Sequence, residues 1–310
     1  MSSSDFQPEI YQLFDEGNQL FSKGKREEAI AAYTRLLEQA PQFFPAYVQR
    51  GLALQELGRV NEALFDHQRA IRINPNYGPA YYGRGWARNW LKDYKGELED
   101  GLRGLQLDPD NTSLYRRRIG AAYSGLGQYE RAIQEYTRAL AIDAQDKGTL
   151  VNRGLAYIKM GKLDAAMPDL NRAIELDPDW DWAYAERGYV YAMLKDYQHA
   201  INDYSQALNF NPKYALALYR RGLAYTAIGA YREARSDFKQ AGRFNSRFRL
   251  TGGLRSRTAI IYGLIASVFV IIGTCSLLST GLWYGGIVYL AMVVVFLALA
   301  YRARHRHVGI

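Results

Sequence analysis

Cysteine is nearly missing: Cys275 is the only one in 310 residues, and it lies in an apolar run. A lone cysteine closes no intrachain disulfide, and without a second there is no CxxC redox or zinc motif. Histidine is also scarce, with four in the chain. No HExxH, glycine-rich phosphate loop or nucleophile elbow occurs. The sequence therefore offers no catalytic constellation, no cofactor and no metal site, and the expectation is a protein that is not an enzyme. The first residues, "MSSSDFQPEIYQLFDEGNQL", lack a basic region followed by an apolar one, so they do not read as a signal peptide.

Acidic charge is missing from one region in particular. The last 68 residues hold eight arginines, no lysine and no acid, and this accounts for the whole formal charge of +8. The first 242 residues are formally neutral. Nucleic-acid binding depends on clustered positive charge, so a neutral body excludes nucleic acid as the expected partner.

What is present is a repeat. Gly17, Gly51, Gly85, Gly120, Gly154, Gly188 and Gly222 are spaced 34, 34, 35, 34, 34 and 34 residues apart. Most are preceded by arginine, as in "RGLALQEL" and "RGLAYIKM". Pro41, Pro75, Pro109, Pro178 and Pro212 each follow such a glycine by 24 residues. A period of this length marks a solenoid of supersecondary units. Within each unit apolar residues recur at three- and four-residue intervals on both sides of a turn, which predicts two helices. Gly24, Gly58, Gly127, Gly161 and Gly229 sit at that turn, where glycine adopts the left-handed conformation that ends a helix. Ala29, Ala63, Ala132, Ala166, Ala200 and Ala234 mark close helix crossings, and Tyr33, Tyr136, Leu170, Tyr204 and Phe238 fill the space one turn on. His67 takes that large position in the second unit, so it is expected to be packed in the core. His199 is expected on an exposed helix face.

These residues resemble the tetratricopeptide repeat. The matching features are an aromatic at the fourth position (Tyr47, Tyr81, Tyr184), the glycine at the eighth, tyrosine at the eleventh (Tyr123, Tyr157, Tyr191, Tyr225) and the closing proline. The resemblance covers seven units: 10–43, 44–77, 78–111, 113–146, 147–180, 181–214 and 215–248, after a short tail over 1–9. It implies an all-α superhelical solenoid whose inner surface, lined by the first helices, holds proteins or peptides. The lysines that accompany asparagine in repeats that grip a terminal carboxylate are not found beside Asn18 and Asn152, so that ligand class is not expected.

The third unit departs most from the pattern. It carries Arg88, Glu97, Gly101 and Gly104 at positions that elsewhere hold packing residues, and Gly96, Gly101 and Gly104 all lie in one expected helix. Its first helix places Tyr82, Trp86 and Trp90 four residues apart on one face. A single extra residue near Thr112 follows, and then Arg116, Arg117 and Arg118. Two readings stand here. In one, the aromatics are binding anchors with Arg117 and Arg118 beside them for carboxylates, and Trp182, Tyr189 and Tyr219 continue the lining. In the other, the tryptophans fill volume that a degenerate second helix leaves empty. Glu97, Glu99 and Asp100 are expected to be solvated.

The arginine-rich end has a different use. Residues 258–278 and 282–301 are uncharged runs long enough to cross a bilayer, about 30 Å at 1.5 Å per residue. A basic linker over 249–257 precedes them, with Arg255 and Arg257, and a basic tail over 302–310 follows, with Arg302, Arg304 and Arg306. The turn between the runs has no basic residue, so the positive-inside rule places both ends and the repeats on the cytoplasmic side. Histidines in "RHRH" read as part of that charge. The expectation is a membrane-anchored scaffold that binds protein partners through its groove, with a homo-oligomer through the hairpin as a further option. The alternative is an accessory or assembly subunit of a larger membrane complex, with the hairpin as its main contact.

Overall fold

A computed structural model describes residues 8–248. These residues form seven consecutive helix pairs. The pairs are α1 (Pro8–Ser22) with α2 (Arg26–Gln39), α3 (Phe44–Glu56) with α4 (Val60–Ile73), and α5 (Gly78–Trp90) with α6 (Tyr94–Leu107). Next come α7 (Thr112–Gly125) with α8 (Tyr129–Ile142), α9 (Lys147–Lys159) with α10 (Leu163–Leu176), and α11 (Asp181–Met193) with α12 (Tyr197–Phe210). The last pair is α13 (Ala215–Ala227) with α14 (Tyr231–Phe244). The chain divides into two compact units, one ending at Phe210 and holding six pairs, the other starting at Asn211 and holding the seventh. The expected uncharged runs, the linker and the arginines Arg255, Arg257, Arg302, Arg304 and Arg306 lie outside the described residues. Among the described residues no helix is long and apolar enough to cross a membrane.

Local sequence accounts for each helix. In α8, "YERAIQEYTRALAI", the buried residues are Ala132, Glu135, Tyr136, Ala139 and Leu140, a single stripe at the helical period. The turn between partner helices needs one residue with positive φ. Gly24, Gly58, Gly127, Gly161 and Gly229 supply it as expected, and Lys92 (φ 61°) and Lys195 (φ 65°) take the same conformation in the two units without glycine. The extra residue of the array lengthens a helix: α7 has 14 residues where α5 and α9 have 13.

Packing is by interlock of small and large residues. A Cβ added at Gly120 would lie 2.6 Å from the Tyr136 ring, one at Gly17 2.4 Å from Tyr33 and one at Gly222 2.8 Å from Phe238. His67 is fully buried, its ring seated between Gly51 of α3 and Gly83 of α5. His199 is exposed, stacked on Tyr191 and bonded to Asp196. Within the first unit, successive first helices touch one another as well as their partners (α1 with α3, then α5, α7, α9 and α11 in turn), while successive second helices make no comparable contact among the described residues. The first helices therefore form the inner layer of this unit.

A buried ion pair ties each of five repeats together. Arg50 binds Asp66, Arg84 binds Asp100, Arg153 binds Asp169, Arg187 binds Asp203 and Arg221 binds Asp237, each pair 16 residues apart and linking first helix to second. Three of the arginines also reach back to the preceding second helix: Arg50 to Thr34, Arg153 to Thr137 and Arg187 to Asn171. Two-pronged guanidinium–carboxylate pairing fixes orientation as well as charge.

Candidate partner-binding face

The inner surface of the third repeat is built on α5. Its sequence "GPAYYGRGWARNW" puts Ala80, Tyr81, Gly83 and Ala87 against neighbouring helices. Tyr82, Trp86 and Trp90 then share the remaining face. Tyr82 and Trp86 are half-buried, and Trp90 at the end of the helix is 58% exposed.

Beneath these rings runs a continuous hydrogen-bonded network. Asn89 donates to Glu97 Oε2 at 2.7 Å, and Arg118 donates to Glu97 Oε1 at 3.2 Å. The Arg118 guanidinium lies over the rings of Tyr82 and Trp86, at 5.1 and 5.8 Å from their centroids. Arg117 donates to the Tyr82 hydroxyl at 3.0 Å and to Asp146. Asp146 in turn caps α9 by accepting from the backbone N–H of Gly148 and Thr149. The chain of contacts thus spans α5, α6, α7 and the start of α9. Burial works to raise the Tyr82 hydroxyl, but the cations of Arg118 and Arg117 together bring it below its usual range. Burial raises the Glu97 carboxyl against the pull of Arg118.

The network changes how the third repeat is understood. Glu97 and Asp100 are not solvated: Glu97 is 0% exposed and Asp100 is buried too. At a position that holds alanine in the other repeats, the Glu97 carboxylate is accommodated because Arg118 and Asn89 both reach it. Asp100 holds both Arg84 and Arg88. Volume lost at Gly101 and Gly104 of α6 is filled from α7 and not by the tryptophans: a Cβ on Gly104 would lie 2.2 Å from the Tyr115 ring, and one on Gly101 2.8 Å from Ile119, while Gly96 is covered by Asp93 and Arg88. Arg117 and Arg118 sit beside the aromatics as expected, but each already holds an internal carboxylate, Asp146 and Glu97 respectively. Arg118 is only 9% exposed. Arg116 pairs with Glu135 on α8.

The remaining candidate residues fall in other places. Trp182 stacks edge-on against Trp180 at 5.4 Å, and both pack with Tyr189 on the core around α9 and α11. Tyr219 belongs to the second unit, where it stacks on Phe248 at 5.0 Å and leans on Phe238. Asn18 accepts a hydrogen bond from Tyr33. Reading from sequence missed Asn89 and Asp146 as supports of the face, and missed the arginine–aspartate ladder. A signal for the ladder was present, since an acid follows the repeat glycine by 15 residues at Asp66, Asp100, Glu135, Asp169, Asp203 and Asp237. Among the described residues no group of three or more His, Cys, Asp or Glu is placed to hold a metal.

Comparison with known proteins agrees with this architecture. A family model described as TPR repeat matches residues 17–58, 120–161, 154–195 and 190–229, and one described as tetratricopeptide repeat matches 44–77. Among solved structures, a chain of the APC/C hetero-tetramer Cut9–Hcn1 is 17% identical with a TM-score of 0.67, over 74% of this chain and 45% of that one. The present chain therefore spans less than half the length of that relative. A tetratricopeptide repeat protein from Parabacteroides merdae is 20% identical with a TM-score of 0.61, over 72% of this chain and 86% of that one. PilF of Pseudomonas aeruginosa is 19% identical with a TM-score of 0.55, over 66% and 92%. No curated protein matches the chain.

Proposed function

Because the chain belongs to the tetratricopeptide-repeat family, we propose that it is a non-enzymatic scaffold that binds a protein or peptide through the inner face of repeats three and four and is held to a membrane by its C-terminal runs. The observation that carries the binding reading is Trp90. It stands 58% exposed on a face whose neighbours, Tyr82 and Trp86, are braced from below by Arg118, Glu97 and Arg117. A rigid, exposed aromatic on a fixed platform binds at low entropic cost. Next to it on α7 the positions that follow at the same helical spacing are Ala121 and Ser124, small residues that leave room for a ligand side chain, while Gly125 is covered by the Tyr94 ring.

The state of the arginines sets the chemistry of the ligand. Arg117 and Arg118 are matched by Asp146 and Glu97, so the face has little net charge to offer and selects for an apolar side chain. The membrane part of the reading rests on the two uncharged runs and their flanking arginines. By the positive-inside rule the repeats then face the cytoplasm.

The test is a crosslinked capture from solubilised membranes, comparing the native chain with a Trp86→Ala/Trp90→Ala variant whose helix content is checked by circular dichroism. The native chain is expected to capture a partner that the folded variant loses. Capture of the same partners by both would overturn the assignment to this face.

A further inference from the structure

The outer face of α14 differs from that of the other second helices. Arg232, Arg235, Lys239 and Arg243 are all exposed along it, with Glu233 as the exposed acid. At 100° per residue these four cations fall within an arc of about 80°, over a rise of about 16 Å. Asp237, the other acid of the helix, is buried and holds Arg221, so it neutralises nothing on the stripe. None of the four cations is ion-paired among the described residues, whereas Arg50, Arg84, Arg117, Arg118, Arg153 and Arg187 all are. In the equivalent helix of the sixth repeat, α12, the positions one repeat earlier are Gln198, Ile201, Ser205 and Asn209, none of them charged, and Ile201 is buried. Period alone does not produce the stripe.

Aromatics border it. Tyr231 is 70% exposed at the start of the helix and Phe244 is 45% exposed at its end. A single row of unpaired cations with exposed aromatics on its margins is the pattern of a helix lying on a headgroup surface, where the rings enter the interface and the long basic stems reach lipid phosphates. Tether length agrees. Only residues 245–257 separate α14 from the uncharged run that starts at Thr258, a span of at most about 45 Å even fully extended. That stretch also lacks any acid.

We propose that the outer face of α14 docks on the anionic phospholipid headgroups of a bilayer leaflet. The tether argument rests on the membrane reading above, but the contact itself does not. Each of the four basic residues is expected to raise the ratio of docked to undocked forms about fivefold at an anionic surface. Losing all four lowers that ratio by two to three orders of magnitude.

The experiment uses the full chain with Cys275→Ser, so that Ser236→Cys, exposed beside the stripe, carries a polarity-sensitive dye. Emission and flotation are compared in vesicles of neutral phosphatidylcholine and in vesicles with about 30 mol% phosphatidylglycerol. A blue shift confined to the anionic vesicles is expected. It should vanish in about 0.5 M salt and in the variant Arg232→Glu/Arg235→Glu/Lys239→Glu/Arg243→Glu. The salt arm needs no mutation, so a misfolded variant does not end the test. Equal emission in both vesicle types would overturn docking, as would a shift indifferent to salt. So would a shift produced by a soluble polyanion but not by vesicles. Flotation separates the two membrane ideas: flotation with neutral vesicles tests the anchor, and salt-sensitive flotation with anionic vesicles alone would leave docking standing and the anchor refuted.

Discussion

Acid should loosen the second and third repeats through His67. The ring is completely buried between Gly51 and Gly83, and its Nε2 is 3.0 Å from Gln55 Oε1. Gln55 donates onward to the Gly83 carbonyl, which leaves its Oε1 to accept from a protonated Nε2. Nδ1 then carries no proton and has no partner. Burial lowers the pKa of His67 from 6.5 to about 3, with the nearby Arg84 charge acting in the same direction. The folded form therefore resists a proton that the unfolded form accepts. As pH falls, stability is fully present above 6.5 and is lost steadily below it, until the folded ring itself titrates near pH 3. At 1.36 kcal/mol per unit, the fall from 6.5 to 5 removes about 2 kcal/mol, or roughly a 30-fold increase in opening. Backbone hydrogen exchange in α3, α4 and α5 at pH 7 and 5, corrected for intrinsic rates, reads that opening directly. His67→Phe removes the titration while keeping a ring of the kind that Phe238 places against Gly222. The variant is less stable at pH 7 because Gln55 loses a partner, by about 1–3 kcal/mol, but it should show a flatter pH dependence. If the native chain and the variant lost equal protection between pH 7 and 5, the reasoning would be refuted.

Three further outcomes are expected. Gly104→Ala should destabilise the third repeat by about 1–3 kcal/mol, because the new methyl meets the buried Tyr115 ring; helix propensity alone predicts a gain of about 0.5–1 kcal/mol, so the sign of the change in denaturation midpoint decides. Asp169→Ala removes the two-pronged partner of Arg153, leaving it the bond to Thr137, and should cost about 1–3 kcal/mol, whereas Arg153→Met/Asp169→Leu should recover most of it in a double-mutant cycle. Lys195→Gly should raise stability by about 0.5–1 kcal/mol, since Lys195 is held at φ 65° where glycine is unstrained, and thermal denaturation of the two forms measures it.

Much of the fold is legible without coordinates because it is local and periodic. A 34-residue spacing of Gly51, Gly85, Gly154, Gly188 and Gly222, a stripe such as that of α8, and a turn glycine such as Gly58 each follow from steric rules acting over a few residues. These rules specify helix pairs and their turns. They also place Tyr82, Trp86 and Trp90 on one face of α5.

What only the tertiary structure decides is the fate of charge and volume. Glu97 looks like a solvated acid in sequence, and it is buried because Arg118, 21 residues later, reaches across from α7. Arg117 and Arg118 look like free cations, yet Asp146 and Glu97 hold them. Gly101 and Gly104 look like defects, and the side chains that fill them belong to the next repeat. In each case the partner lies on another helix, at a distance set by packing and not by spacing along the chain. Periodicity reports which way a residue points; whether a charge pointing inward is matched depends on what the neighbouring helix brings to meet it.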